Sequence, residues 1–281
     1  MLILLTKSMN KHCKNSQKGF KMKKLIFLVV FSVVSLYADD LIEQVKHFKQ
    51  QCDSQNDAKA CLAFAESYSH LLNQREGQVA AKKAQPTIIA YIKKAAEVCN
   101  DPETCIRISR AYGGCDNSEC TFEGDKFRVK LLTQTCKKFN YVRACYLAGE
   151  AITDSHISIF EDDLATKIKY QKEYYKIACD VNYGTDFKYG EGKSACSRLA
   201  YVYWREGDKK SALQLYVKDC NAGGESESCQ SVAMALEEEE NKKDILDRDY
   251  TKALKFYKKA CDMSNAFCPK YLSKKRQFYG E

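Results

Sequence analysis

The sequence contains few of the residues that interrupt helices. Its 281 residues include only 3 prolines and 13 glycines, and runs of β-branched residues are rare. Alanine, leucine, lysine and glutamate, which favour helices, recur along its whole length. This composition argues against a fold built from strands and predicts an all-α chain.

Histidine is scarce too, and this limits metal chemistry. Apart from one near the N-terminus, the histidines are His47, His70 and His156, which are scattered along the chain. Zinc sites built on cysteine need closely spaced cysteine pairs or accompanying histidines. No pair of cysteines has the two-residue spacing, and Cys115 and Cys120, four residues apart, have no counterpart. We therefore predict no metal and no cofactor, and zinc stays the alternative explanation of the cysteines.

No apolar run is long enough to span a bilayer comfortably, which takes roughly 20 residues. The main run, Leu25 to Val34, follows the basic segment Met22-Lys23-Lys24 and precedes Ser35-Leu36-Tyr37-Ala38. This order predicts a leader over residues 1–38 that contains a secretory signal peptide at 22–38, cleaved after Ala38. An uncleaved anchor is the alternative, and translation could start at Met1 or Met22. After cleavage we expect no stable membrane insertion.

Acidic residues are absent from the leader, and this changes the charge of the exported chain. The formal net charge of the full sequence is +8. Removing the leader's seven lysines leaves 38 basic residues against 37 acidic ones, a net charge of +1. Nucleic-acid binding rests on a basic surface, so we expect no nucleic-acid partner.

Cysteine, in contrast, is abundant. One of the 15 lies in the leader, and the other 14 are predicted to be oxidised, because exported chains favour disulfides. Each pair of neighbours in the sequence brackets a polar, turn-forming segment, so bridges between neighbours are favoured, although sequence alone does not fix connectivity. The predicted pairs are Cys52/Cys61, Cys99/Cys105, Cys115/Cys120, Cys136/Cys145, Cys179/Cys196, Cys220/Cys229 and Cys261/Cys268.

A sequence pattern repeats around these cysteines. Tyr175, Tyr216 and Tyr257 are spaced 41 residues apart, and each lies four residues before a cysteine. A helical phrase with a period of this length is typical of a helical solenoid, here about five to six helix pairs over 39–281. In five units a small residue comes four residues after the second cysteine and lets the neighbouring helix approach closely: Ala65, Ser109, Gly149, Ala200 and Ala233.

Some helix boundaries can also be predicted. The segment Asn73 to Gln85 is polar with weak periodicity, and Pro86 suits the first turn of the next helix. Asp101 followed by Pro102 is a typical helix start, with an acidic N-cap and proline at the first position.

The combined pattern of Asp249 to Asp262 and of Cys196 to Tyr203 resembles Sel1-like repeats, which are related to tetratricopeptide repeats. With cysteine pairs joining successive repeats, the chain is similar to the Helicobacter cysteine-rich protein family. The resemblance implies a right-handed α/α superhelical solenoid in the periplasm or outside the cell. It also implies penicillin binding or weak β-lactamase activity.

The sequence itself gives no support for that activity. A serine β-lactamase needs a Ser-x-x-Lys motif, and the only one, Ser8/Lys11, lies in the leader. Ligands for a zinc enzyme are lacking, and the pairing leaves no cysteine as a nucleophile. Whether the chain is an enzyme stays open, and we assign no catalytic residue.

A binding scaffold is the favoured function. Stacked repeats create an extended concave surface that suits a protein, a peptide or a peptidoglycan-type ligand, and we expect a monomer. The candidate ligand-binding residues on the first helices of the units are Arg110, Tyr201, Trp204 and Arg205. Tyr112 and Tyr203 belong to the same helices, but Tyr203 occupies a core position of the repeat.

Overall fold

A computed structural model describes residues 40–75, 77–112, 122–155, 157–160, 162–181, 194–237 and 250–279. These residues form twelve α-helices and two short 3-10 helices, and none of them lies in a strand. The chain divides into two compact units, the first ending at Val98 and the second beginning at Cys99. The predicted leader and the Cys115/Cys120 pair lie outside the described residues, and one solenoid over 39–281 stays a prediction.

The first unit contains three described helices: α1 (40–55), α2 (Ala58–Arg75) and α3 (Gln78–Val98). The Cys52–Cys61 bridge joins α1 to α2. Helix α2 packs along α3, and the ring of Phe64 lies 4.3 Å from the ring of Tyr91. Tyr91 in turn donates a hydrogen bond to Asp53 of α1, so all three helices are connected.

The prediction that Pro86 begins a helix was wrong. Helix α3 begins at Gln78 and contains Pro86 in its interior. The segment before the proline is rich in alanine, lysine and glutamine, which have high helix propensity. A proline in a helix interior removes one backbone hydrogen bond, and here the good helix formers on both sides, together with packing against α2, outweigh that loss.

The second unit alternates first and second helices of the predicted repeat. Its first helices contain the second cysteine of a pair near their start: α4 (Pro102–Tyr112), α6 (Val142–Asp154), α8 (Ala195–Arg205), α10 (Ser226–Glu237) and α12 (Cys268–Tyr279). Its second helices end near the first cysteine: α5 (Phe122–Phe139), α7 (Leu164–Asp180), α9 (Lys209–Ala222) and α11 (Tyr250–Met263). The 3-10 helices Ile157–Phe160 and Asn265–Phe267 lie between them.

Each helix of the second unit packs against the next one along the chain. Disulfides fix four of the turns between them: Cys136–Cys145, Cys179–Cys196, Cys220–Cys229 and Cys261–Cys268. A fifth bridge, Cys99–Cys105, ties the first residue of the unit to α4. With the bridge of the first unit, these are six of the seven predicted pairs. Their Cα separations lie between 4.4 and 5.7 Å, within the range of an ordinary bridge.

Small residues lie where the helices come closest. All five residues at the fourth position after the cysteine are buried. At Gly149 of α6, a Cβ atom would lie only 2.6 Å from two ring carbons of Tyr175 in α7. Tyr175 is itself one of the repeating tyrosines that precede a cysteine. At α6 and α7 the two repeating positions therefore meet in one contact, a tyrosine ring against the backbone of the preceding helix.

Side-chain caps define several helix starts. Asp101 accepts a hydrogen bond from the backbone N–H of Thr104, as predicted for the start of α4. Asp163 caps α7 in the same way, and Ser194 caps α8 by accepting from Ser197 N. A second hydrogen bond also fixes Ser194, because its backbone N–H donates to the buried Glu225. The start of α8, which contributes to the site described next, is therefore fixed.

The fold class predicted from sequence is confirmed: the described chain is an all-α array of helix pairs joined by disulfides. Bridges of this number are typical of proteins folded in an oxidising compartment. Within the described residues, every helix is too short or too polar to cross a membrane.

Candidate functional site

A pocket of about 270 Å³ opens between three helices of the second unit, α6, α7 and α8. Helix α7 contributes one face with a helical spacing of three or four residues, and α8 contributes another. The C-terminal end of α6 closes the third side. The lining residues are Thr153 from α6, Leu164, Lys167, Ile168, Gln171 and Tyr175 from α7, and Arg198, Tyr201, Val202 and Arg205 from α8.

A hydrogen-bonded cluster around Glu150 forms the base of the pocket. Its carboxylate accepts from Tyr175 Oη at 2.5 Å and from Arg198 Nη2 at 2.9 Å. The hydroxyls of Tyr175 and Thr153 are 2.9 Å apart, and Gln171 donates to Thr153. These contacts fix the position of the Arg198 guanidinium relative to α6 and α7.

Burial and charge shift the pKa values in this cluster. Burial, reinforced by the neighbouring Glu150 charge, raises the pKa of Tyr175 far above its usual value, so its hydroxyl stays protonated. Burial is the largest single effect and disfavours the charge of Arg198, but Glu150, Tyr175 and Tyr146 together outweigh it and raise the pKa of the guanidinium. The base of the pocket therefore contains a fixed positive charge held by one carboxylate.

Lys167 stands at the side of the pocket. Its ammonium group donates to the carbonyl oxygens of Thr153 at 3.1 Å and Ser155 at 2.6 Å, at the C-terminal end of α6. A cation is favoured there because unpaired carbonyls collect at a helix C-terminus. Partial burial nevertheless lowers the pKa of Lys167, and the nearby Arg205 charge adds to this effect while Asp154 opposes it.

Tyr201 and Arg205 form the exposed rim. The guanidinium carbon of Arg205 lies 6.0 Å from the centre of the Tyr201 ring, in a cation–π contact. Half of the Tyr201 surface, 51%, is exposed. Trp204 lies beside them but outside the pocket, where Lys209 approaches its ring to 5.5 Å.

The structure brings together two of the four predicted ligand-binding residues. Tyr201 and Arg205 both line the pocket, whereas Trp204 lies next to it and Arg110 lies on α4, away from it. Lys167 was not predicted, because it lies on a second helix of the repeat and only first helices were considered. Leu164, Lys167, Ile168 and Gln171 follow a helical spacing, but this spacing does not distinguish Lys167 from a surface lysine.

The cluster at the base recurs elsewhere in the second unit. Glu237 of α10 accepts hydrogen bonds from Tyr257 Oη at 3.2 Å and from Lys274 Nζ at 2.9 Å. Burial and the charge of Glu237 raise the pKa of Tyr257 as well. An acid, a tyrosine and a cation on three successive helices therefore occur twice, although Glu150 lies five residues after its cysteine and Glu237 lies eight residues after its own. What distinguishes the pocket is the addition of Lys167, Tyr201 and Arg205.

No group of three potential metal ligands occurs among the described residues. In the pocket, the Thr153 hydroxyl lies 2.8 Å from the carbonyl oxygen of Gly149, to which it donates, and Lys167 donates to backbone carbonyls. The described contacts therefore pair these two groups with the backbone.

Comparison with known proteins adds a fold likeness. No family model matches the chain, and no curated protein gives a significant match. The chain is similar to a solved Sel1 repeat protein from Oxalobacter formigenes, with 16% sequence identity and a TM-score of 0.43, over 81% of this chain and 85% of that one. It is also similar to c5321, a protective antigen of uropathogenic Escherichia coli with an SLR fold, at 13% identity and a TM-score of 0.27, over 84% of this chain and 68% of that one.

Proposed function

We propose that the protein is an exported repeat scaffold that binds an anionic peptide segment in the pocket between α6, α7 and α8. One observation carries this proposal. Three cations, Lys167, Arg198 and Arg205, converge on one pocket, and the described residues that line it include no acid. Such a convergence repels cations and attracts a carboxylate.

The charge balance around the pocket supports an anionic ligand. Glu150 contacts Arg198 directly, and it is already engaged by Arg198 and Tyr175. Asp154 from the end of α6 and Asp125 from α5 act on Lys167. Because burial disfavours the charged form of Lys167, an incoming anion would strengthen that charge and be stabilised by it.

The apolar part of the lining favours a peptide over a bare glycan strand. Leu164, Ile168 and Val202 share the pocket with the cations. A sugar offers hydroxyls on most of its surface, whereas a peptide offers apolar side chains beside carboxylates. The peptide portion of a cell-wall fragment would satisfy the same requirement.

Export is the second part of the proposal. It is supported by the disulfides, which persist in oxidising compartments, and by the predicted signal peptide at 22–38. N-terminal sequencing of the exported protein should begin at or near Asp39. A chain that begins at Met22 would contradict cleavage of the leader.

The alternative, weak β-lactamase activity, rests only on the family resemblance. No described contact supports it. Turnover of nitrocefin by the oxidised protein, with reduced protein as the control, tests it directly. Turnover that survives Arg205→Gln would place that chemistry away from the proposed site.

Binding is tested with two labelled peptides that differ only in charge, one alternating glutamate with leucine and one alternating lysine with leucine. Fluorescence anisotropy should show binding of the acidic peptide alone, weakened by salt. Arg205→Gln should weaken it about tenfold, because one charge-assisted contact contributes about 1.5–3 kcal/mol. The matched control is Lys209→Gln, at the first residue of α9 and outside the pocket. Equal binding of both peptides, or equal loss in both variants, would overturn the proposal.

A further inference from the structure

We infer that the pocket recognises the free C-terminal end of a peptide whose last residue is apolar. This inference rests on the proposed function and narrows it, since it names the part of the peptide that enters. It is based on the size of the pocket, on the division of its lining and on the exposure of its rim.

Size limits what the pocket can hold. Ligand pockets for drug-sized molecules are usually about 300–1,000 Å³, and this one measures about 270 Å³. It therefore suits one residue better than a segment of several residues. A single bound residue must then account for contacts with both the charged and the apolar parts of the lining.

The lining combines both kinds of contact in one small space. Leu164 and Ile168 are one helical turn apart on α7, with Lys167 between them. On α8, Val202 lies between Arg198 and Arg205. Apolar and cationic groups thus alternate on both helices, and neither occupies a separate end of the pocket.

A C-terminal residue matches this alternation better than an internal acid. Its carboxylate and its side chain branch from the same carbon atom, so both enter together. An internal glutamate or aspartate offers a carboxylate but no apolar group, and its chain must both enter and leave the pocket. Capture of a terminal carboxylate is a recurrent mode of peptide recognition.

The rim offers contacts to the preceding residues. Leu164 and Tyr201 both line the pocket and are 53% and 51% exposed. They belong to different helices, α7 and α8, so they flank the opening. The peptide would leave the pocket between them, with Arg205 against Tyr201 on one side.

The test uses three decapeptides that carry a label at the N-terminus and share a neutral, glycine- and serine-rich body. The first ends in leucine with a free carboxylate, the second ends in leucine amide, and the third has an internal glutamate and an amide end. Anisotropy with the full oxidised chain should show that the first binds at least tenfold more tightly than the other two. Replacing its last leucine by glycine should weaken binding severalfold, since apolar burial is lost.

Arg205→Glu supplies the matched test in the protein. The side chain is exposed, so the fold should survive, and the preference for the free carboxylate should disappear. Lys209→Glu, which makes the same charge change outside the pocket, should retain it. Circular dichroism of both variants checks that the helices are intact.

The outcomes separate this inference from the broader proposal. If the peptide with internal glutamate binds as tightly as the free acid, the inference is wrong while anionic peptide binding stands. If the amide of leucine binds as tightly as the acid, the terminal carboxylate is not recognised. If none of the three binds and the acidic peptide described above fails as well, both ideas are wrong.

Discussion

Replacing Gly149 by alanine tests the contact on which the repeat is built. In the structure a Cβ atom at this position would lie 2.6 Å from two ring carbons of Tyr175 and 3.0 Å from a third. Ordinary contacts begin at about 3.4 Å, so the ring must move by about 0.8 Å. It has little room to do so, because Tyr175 is 1% exposed and its hydroxyl donates to Glu150.

Opposing effects determine how much Gly149→Ala changes the free energy of unfolding. Alanine is favoured over glycine in a helix by about 1 kcal/mol. Overpacking of a rigid core costs about 1–3 kcal/mol, and displacing the tyrosine weakens a hydrogen bond to a carboxylate that contributes about 1.5–3 kcal/mol. We therefore expect Gly149→Ala to lower the free energy of unfolding by about 2 kcal/mol. Helix propensity alone predicts the opposite sign.

Urea unfolding of the oxidised protein measures this loss of stability. Amide exchange should locate it in α6 and α7. The cost should shrink when Tyr175 is replaced by leucine, which removes the ring from the contact. The control is Ala233→Gly at the equivalent position of α10, which should lose about 1 kcal/mol from helix propensity. A Gly149→Ala protein as stable as the original would refute the argument.

Further predictions concern the bridges and one carboxyl. Replacing Cys220 and Cys229 by alanine should cost about 2–3 kcal/mol and accelerate amide exchange in α9 and α10; uniform acceleration along the second unit would contradict a local role. Among the described bridges, only Cys261–Cys268 joins two half-buried cysteines, so mild reduction followed by alkylation and mass spectrometry should find it opened first. Hydrogen bonds, above all from a lysine one turn earlier, lower the pKa of Asp53 from 3.8 to about 2. Its contribution to stability should be complete above pH 3.8 and vanish as the pH falls through about 2, and a carboxyl that titrates near 3.8 in NMR would contradict this.

The repeat could be predicted from sequence because it obeys a strict spacing. The sequence alone shows two regular positions. A tyrosine lies four residues before the first cysteine of a pair, and a small residue lies four residues after the second. The contact of Tyr175 with Gly149 is the physical reason for both. The pairing of neighbouring cysteines follows from the same geometry, since a short turn between antiparallel helices brings their ends together.

The pocket could not be predicted in the same way. Its side walls come from α7 and α8, which are joined by a longer connection than most pairs, so no fixed spacing relates Lys167 to Arg205. Lys167 also resembles an ordinary surface lysine in the sequence, and only the position of the α6 carbonyls shows that it is held in place. The extension of α3 before Pro86 escaped prediction because its helix formers lack an apolar stripe.

The position that follows the small residue varies in its chemistry from helix to helix. In five helices the side chain four residues after the cysteine is small and buried, whereas Leu272 of α12 is large and exposed. Five residues after the cysteine, the same five helices carry side chains of varied chemistry: Glu66, Arg110, Glu150, Tyr201 and Met234. At α6 this residue is the acid that holds Tyr175 and Arg198, whereas at α8 it is the exposed rim tyrosine of the pocket. A small residue at the fourth position allows close helix approach, whereas the fifth position lies one residue further along the helix and is not under the same limit of size. In these five helices the fifth position therefore varies while the fourth stays small.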